Sequence, residues 1–328
     1  MSTAEKTPNT PAPIEVKGSF LDLPNEIGDK ADLFDQASMS PRTRRAYQSS
    51  WQLFLGWCDD HRADPREPEI VVGFLSDQAD SKKLATIEVY LAAISQARGL
   101  LGLPKLSEFP RVRRVMRGIR RTLGPQGQTR KTPITVAQLR RISMVIPETP
   151  KGIRDRCILL VGFAGAFRRS ELVALDVSDL GFTDDGLVIQ IRRSKTDQVG
   201  DGRSVGIPYG STPATCPVRA ARAWLVNSGI TSGPVFRGVD RHGNIGETRL
   251  GTRAVSRMIK AAVETIGLDA EGFAGHSLRA GFATEAAKHG VGELAIMRQT
   301  GHRSVVTLKK YIRHGQLFVG NAAAEVGL

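Results

Sequence analysis

Six side chains in the second half of this 328-residue chain stand at spacings that could handle a phosphate: Arg168, Lys195, His276, Arg279, His302 and Tyr311. Arg168 and Glu171 lie three apart at an expected helix start, so they share a face on which the acid can orient the guanidinium or a neighbouring histidine. His276 and Arg279 repeat that spacing in Gly275-His276-Ser277-Leu278-Arg279, which sets an imidazole beside a planar cationic fork. Gly301-His302 precedes a helix bearing Tyr311, and a helix start is a natural place for a phosphate oxygen. Taken singly, each feature fits an ordinary role: a surface ion pair, a structural HxxR, a turn lysine, a helix tyrosine with a buried ring. Together they supply what phosphoryl transfer requires, namely cations for the non-bridging oxygens, a nucleophile, a base for the attack and an acid for the leaving 5′ oxygen. Metal-dependent nucleases need clustered carboxylates. The chain has no DxD or HExxH, and its one DxE, Asp269-Ala270-Glu271, falls in an expected loop without a companion motif.

The apolar pattern predicts the elements that must position these groups. Ser40-Pro41 offers an N-cap followed by proline at the first helical position, and Tyr47, Trp51, Phe54, Leu55 and Cys58 then fall on one face. Helices are expected next over Glu69 to Gln78, about Lys83 to Leu101, and Ser107 to about Thr122. In the last of these Val112, Val115, Met116 and Ile119 line one side, while Arg113, Arg114, Arg117, Arg120 and Arg121 occupy the rest of the circumference. Solvated faces usually mix signs, but no acid stands between Arg111 and Lys131, so this helix reads as one that tracks phosphates. The turn-rich stretch from Gly124 to Lys131 reads as an interdomain linker.

Beyond the linker, helices are expected over Val136 to Ile146, Ile153 to Phe167 and Ser170 to Leu175. Period-two alternation over Leu187 to Arg192, with a partner near Arg203 to Ile207, predicts one small antiparallel sheet with Lys195 in or near its turn. Further helices are expected over Pro217 to Asn227, Gly251 to Ile266, His276 to His289, Gly292 to Thr300 and Ser304 to Arg313. Thr252-Arg253-Ala254 opens one of them.

Composition narrows the partner. The formal charge of +13 is uneven: residues 1–37 hold three lysines against seven carboxylates, a net of −4, which leaves +17 for the remainder. A surplus of that size attracts polyanions, of which nucleic acid is the commonest. The proline-bearing acidic tail over 1–37 has little apolar periodicity and reads as disordered. Cys58, Cys157 and Cys216 are odd in number and have no metal-ligand spacing, which fits a reduced intracellular protein. No apolar run approaches the roughly 20 residues that span a bilayer, and the N-terminus lacks a signal-peptide core. A cytoplasmic protein with no membrane partner is expected.

Three blocks resemble the tyrosine recombinases, or phage integrases. They are Ala166-Phe167-Arg168-Arg169-Ser170-Glu171-Leu172 through Asp176; Gly275-His276-Ser277-Leu278-Arg279-Ala280-Gly281-Phe282-Ala283-Thr284; and Gly301-His302-Arg303-Ser304 leading to Tyr311-Ile312-Arg313. Their order and spacing agree with the family's. The likeness is greatest to the Cre branch, through the tryptophan-bearing first helix and the run Val115-Met116-Arg117-Gly118-Ile119-Arg120, and it covers residues 38 to 328. Two positions depart: Ala280 stands where many members carry a second histidine, and His302 stands where the Cre branch has tryptophan.

The resemblance implies a mainly α fold: a four- to five-helix SAM-like DNA-binding domain over 38–123, a linker over 124–133, and over 134–328 a mostly helical catalytic domain with a small antiparallel sheet. It implies that Arg168 and Arg279 grip the scissile phosphate and that His276 exchanges a proton with the nucleophile. Lys195 would protonate the leaving 5′ oxygen, His302 would hydrogen-bond a phosphate oxygen, Tyr311 would form the 3′-phosphotyrosine, and Glu171 would support. Candidate DNA contacts are Arg44, Lys83, Arg114, Arg117, Arg120, Arg121, Arg130 and Arg253, the last at the start of a helix resembling one laid in the major groove. The chain would clamp double-stranded DNA bearing an inverted repeat, as a dimer per site and a tetramer per synapse, with its apolar C-terminal segment docked on a neighbour. No cofactor, nucleotide or metal is implied. Alternatives are relaxation of the type IB topoisomerase kind and an inactive DNA-binding relative.

Overall fold

The computed structural model describes residues 38–124, 131–192, 202–302, 304, 305, 308 and 311. The acidic tail, Arg130 and most of the linker, Lys195 and its turn, and the segment after Tyr311 lie outside the described residues. The chain divides into two compact units, residues 1–128 and 129–328.

The first unit holds α1 (Pro41–His61), α2 (Pro68–Ala79), α3 (Leu84–Leu100) and α4 (Pro110–Thr122). The Ser40 hydroxyl accepts from the Thr43 N–H at 3.1 Å, which supplies the expected cap of α1. Phe54, Phe74, Ile87, Ile94 and Met116 form the core, and the rings of Phe54 and Phe74 meet edge to face at 5.1 Å. The helix expected from Ser107 is broken: Leu106–Glu108 form a separate 3-10 turn, and Phe109 is extended before α4 starts at Pro110. A residue preceding proline is pushed out of the α region, so the break follows from Pro110. On α4, Val112, Met116 and Ile119 are buried while Arg113, Arg114, Arg117, Arg120 and Arg121 are exposed.

The second unit begins with α5 (Val136–Val145), α6 (Pro150–Ala164) and α7 (Arg169–Ala174). α6 was expected over Ile153 to Phe167 but is shifted. Thr149 caps it by accepting from the Gly152 N–H at 3.2 Å, and Ala166 ends the run beyond Ala164 by taking a left-handed φ of 49°. An antiparallel sheet follows, ordered β1 (Leu180–Phe182), β2 (Gly186–Ile191), β3 (Arg203–Pro208). In its register Leu187 faces Ile207, Ile189 faces Val205 and Ile191 faces Arg203.

After α8 (Pro217–Ser228), a second sheet appears where one was expected in all: β4 (Arg237–Val239) pairs with β5 (Ile245–Arg249). β1 has three residues and β5 is mostly exposed and polar, so neither leaves the alternation by which a strand is read. α9 (Thr252–Glu264), α10 (His276–Lys288) and α11 (Glu293–Thr300) complete the regular elements, and 305, 308 and 311 are helical.

α10 is seated tightly. The Ile134 N–H donates to the Ser277 carbonyl at 3.1 Å, and a Cβ on Gly281 would lie 2.1 Å from the Ile134 oxygen, so only glycine permits that approach. The core centres on Trp224, which is fully buried and donates its indole N–H to the Val235 carbonyl at 2.8 Å. Replacing it leaves a large cavity and an unpaired carbonyl. Trp224→Ala should lower the unfolding free energy by about 3–5 kcal/mol, read by urea denaturation with circular dichroism.

Candidate active site

The left-handed turn at Ala166 reverses the chain between α6 and α7 and turns one carbonyl to use: the Ala166 oxygen accepts from Arg279 Nη1 at 2.9 Å. Two residues later Arg168 caps α7. Its backbone N–H donates to Glu171 Oε2 at 3.0 Å and its Nη1 to Oε1 at 2.5 Å, while Glu171 is almost wholly buried. The expected pairing of Arg168 and Glu171 is therefore present, inside the unit and not on its surface. Arg279 is 1 % exposed and its Nη2 is a buried donor with no hydrogen-bond partner. Burial, then the charge of Arg168, pushes its pKa down to about 10.

One helical turn before Arg279, at the first residue of α10, stands His276, which is exposed. Its Nε2 stands 2.6 Å from the Tyr311 hydroxyl. The His302 ring lies 6.3 Å from the tyrosine ring, centre to centre. Thr300 has a single hydroxyl proton, which it donates to the Ile296 carbonyl at 2.7 Å. The contact of 2.7 Å between Thr300 Oγ1 and His302 Nδ1 then makes Nδ1 the donor and leaves Nε2 for the site. Protein packed around the ring, and then Arg279, Arg168, His276 and Arg203, hold the His302 pKa down at about 3. His276 is lowered by the same causes, burial first and then Arg279, Arg168 and Arg169. Both imidazoles are therefore neutral near pH 7.

Arg203 is a resident of this site that lies outside the three sequence blocks. It opens β3, its Nη2 stands 3.6 Å from Glu171 Oε2, and its Nη1 donates to the Gln299 carbonyl at 3.0 Å. A signal for it exists in the sequence: Arg203 is in phase with Val205 and Ile207, the inward residues of the strand, and a cation on an inward face needs an explanation. A second missed feature is the seat of Arg169, whose side chain crosses the backbone of Gly275 and bonds Ser256 of α9; a Cβ on Gly275 would lie 1.8 Å from Arg169 Cδ.

The expected DNA contacts form a separate set. Arg44, Lys83, Arg114, Arg117, Arg121 and Arg253 are exposed, with Arg253 in the first turn of α9. Arg120 is exposed too, and is held by Glu88 at 3.0 Å. Arg111 pairs with Glu69 at 2.7 Å, so two acids from neighbouring helices reach α4 although none lies within it. Among the described residues no group of His, Cys, Asp and Glu is placed to hold a metal ion, and no helix is long and apolar enough to cross a membrane. Cys58, Cys157 and Cys216 are free and buried.

The profile of the phage integrase family matches residues 133–316, which include every group of this site. The chain belongs to the phage integrase family of tyrosine recombinases. The integrase/recombinase XerD homolog of Selenomonas ruminantium is 38% identical over 313 residues, covering 94% of this chain and 92% of that one. Recombinase Cre of Escherichia phage P1 is 27% identical over 306 residues, covering 86% and 87%. In fold, the chain is similar to the Tn1549 transposon integrase in complex with circular intermediate DNA, with a TM-score of 0.63 at 15% identity, covering 90% of this chain and 96% of that one. As a tyrosine recombinase the protein is a DNA-acting enzyme of site-specific recombination.

The lowered histidines give a pH signature with a definite sign. If His276 takes the tyrosine proton, covalent DNA capture should hold level from mildly alkaline pH down to 6.5 and fall only below it. In the unfolded chain both histidines would bind protons below 6.5, so their contribution to stability is whole above that pH and is lost progressively as pH falls from it towards the lower folded-state values, about 3 for His302. Single-turnover capture measured across this range checks the first statement; a midpoint above 6.5 would contradict it.

Proposed function

We propose that this recombinase breaks and rejoins double-stranded DNA through a 3′-phosphotyrosyl bond at Tyr311 and exchanges strands between two target sites. The observation that carries the reading is the Tyr311 hydroxyl at 2.6 Å from His276 Nε2, beside buried guanidinium groups that retain an unpaired donor. A neutral imidazole with its proton on Nδ1 accepts the phenolic proton as the tyrosine oxygen attacks phosphorus. The P–O5′ bond breaks, and the 5′ oxygen leaves with a proton from Lys195, the role the family resemblance implies. Resealing reverses each step, so the phosphodiester energy is conserved and no nucleotide is consumed.

Arg168 and Arg279 neutralise the non-bridging oxygens, whose charge grows in the transition state. A phosphate bound beside His302 would favour its charged form, and Nε2, left open by the Thr300 bond, would then donate to a phosphate oxygen. Glu171 orients Arg168. In the first unit the exposed arginines of α4 follow the phosphate backbone, and in the second Arg253 reaches a base edge. The target is an inverted repeat held by a dimer, with two such dimers joined in the synapse through the C-terminal segment.

Tyr311→Phe removes one oxygen and should abolish denaturant-resistant protein–DNA adducts while leaving binding within about twofold, as expected of a group used only in the transition state. An adduct persisting in that variant would sink the assignment. The α4 reading is tested apart from the chemistry: Arg114→Ala with Arg117→Ala should weaken binding to all sequences alike and reduce the slope of log affinity against log salt by about 2.

A further inference from the structure

We infer that Arg203 is a positioning residue of the strand-transfer site, holding the turn that carries His302 in register with the Arg168–Glu171 pair. The inference rests on the recombinase reading and adds a residue to it. Three contacts converge on this guanidinium. Nη1 donates to the Gln299 carbonyl at 3.0 Å, at the end of α11. Nη2 faces Glu171 Oε2 at 3.6 Å, on the oxygen that also accepts from the Arg168 N–H. The plane lies against Gly301, where a Cβ would stand 2.8 Å from Nε, and Gly301 has a left-handed φ of 65°.

The link is made in both directions. The Gln299 side chain donates to the Gly206 carbonyl of β3 at 3.2 Å and to the Ala164 carbonyl at the end of α6 at 2.8 Å. The strand and the end of α11 are thus stitched together at Gln299, just before the turn leading to His302. Arg203 also keeps two buried donors, Nε and Nη2, without a hydrogen bond. Burial, only partly offset by Glu171, lowers its pKa. A cation held so expensively in an apolar strand register needs a structural purpose, since a buried guanidinium left partly unsatisfied destabilises the fold. Fixing His302 within reach of a phosphate that Arg168 also grips is such a purpose.

The test uses the full chain and nicked target DNA that traps the covalent adduct, with four proteins: wild type, Arg203→Ala, His302→Ala and the double variant. Arg203→Ala should bind DNA as wild type does, which reports an intact fold, yet form adduct about 100-fold more slowly, the size expected of a displaced catalytic group. With no imidazole left to place, Arg203→Ala in the His302→Ala background should cost less than about threefold more. Arg203→Lys should stay slow, because a single ammonium lacks the planar fork that reaches the Gln299 carbonyl and Glu171 from separate nitrogens while lying against Gly301. A merely structural role would lower capture equally in both backgrounds. Multiplying effects, or an Arg203→Ala protein as fast as wild type, would overturn the inference. Failure of wild type itself to form adduct would instead overturn the recombinase reading.

Discussion

Glu171 is the carboxylate on which the site depends. It is buried, and the guanidinium groups of Arg168 and Arg203 approach it at 2.5 and 3.6 Å, with Arg279 close enough for its own ionisation to be pushed down by Arg168. Among the described residues, one negative charge stands against three cations, which leaves an excess of positive charge. Like charges held together out of water are costly, and the cost is met by the packing of the whole unit around them. On the proposed function, what that excess would stabilise is the phosphate of the DNA backbone. Burial first, and then the same excess, keeps His276 and His302 neutral, the form in which His276 would act as the proposed base.

The backbone devices serve that cluster. A left-handed alanine lets the Ala166 carbonyl meet Arg279, a glycine at 281 brings α10 against Ile134, and a left-handed glycine at 301 turns the chain beneath Arg203 toward His302. Ala166 and Gly301 are local departures from regular structure beside the site, whereas Gly281 lies within α10 and permits a close approach. Regular helices supply rigidity between them.

Much of this was legible from sequence because helix periodicity is strong. The spacing of Arg168 with Glu171 and of His276 with Arg279 survives folding, since neighbours at i and i+3 meet on any helix or its cap. The cap at Ser40, the arginine face of α4 and the strand pair β2 and β3 were readable for the same reason. What escaped was set by long-range geometry. Arg203 is distant in sequence from Glu171 and Gln299, and its motif is only a phase on a short strand. β4 and β5 carry little apolar alternation, and the acids that meet α4, Glu69 and Glu88, come from other helices.

The central claim is that Tyr311 becomes covalently joined to a DNA 3′ phosphate. The most direct measurement is mass spectrometry of the wild-type protein after reaction with nicked target DNA and digestion of both polymers. The account predicts a nucleotide 3′-phosphate on the peptide containing Tyr311 and on no other. An adduct on a different residue, or cleaved DNA with no adduct at all, would contradict it.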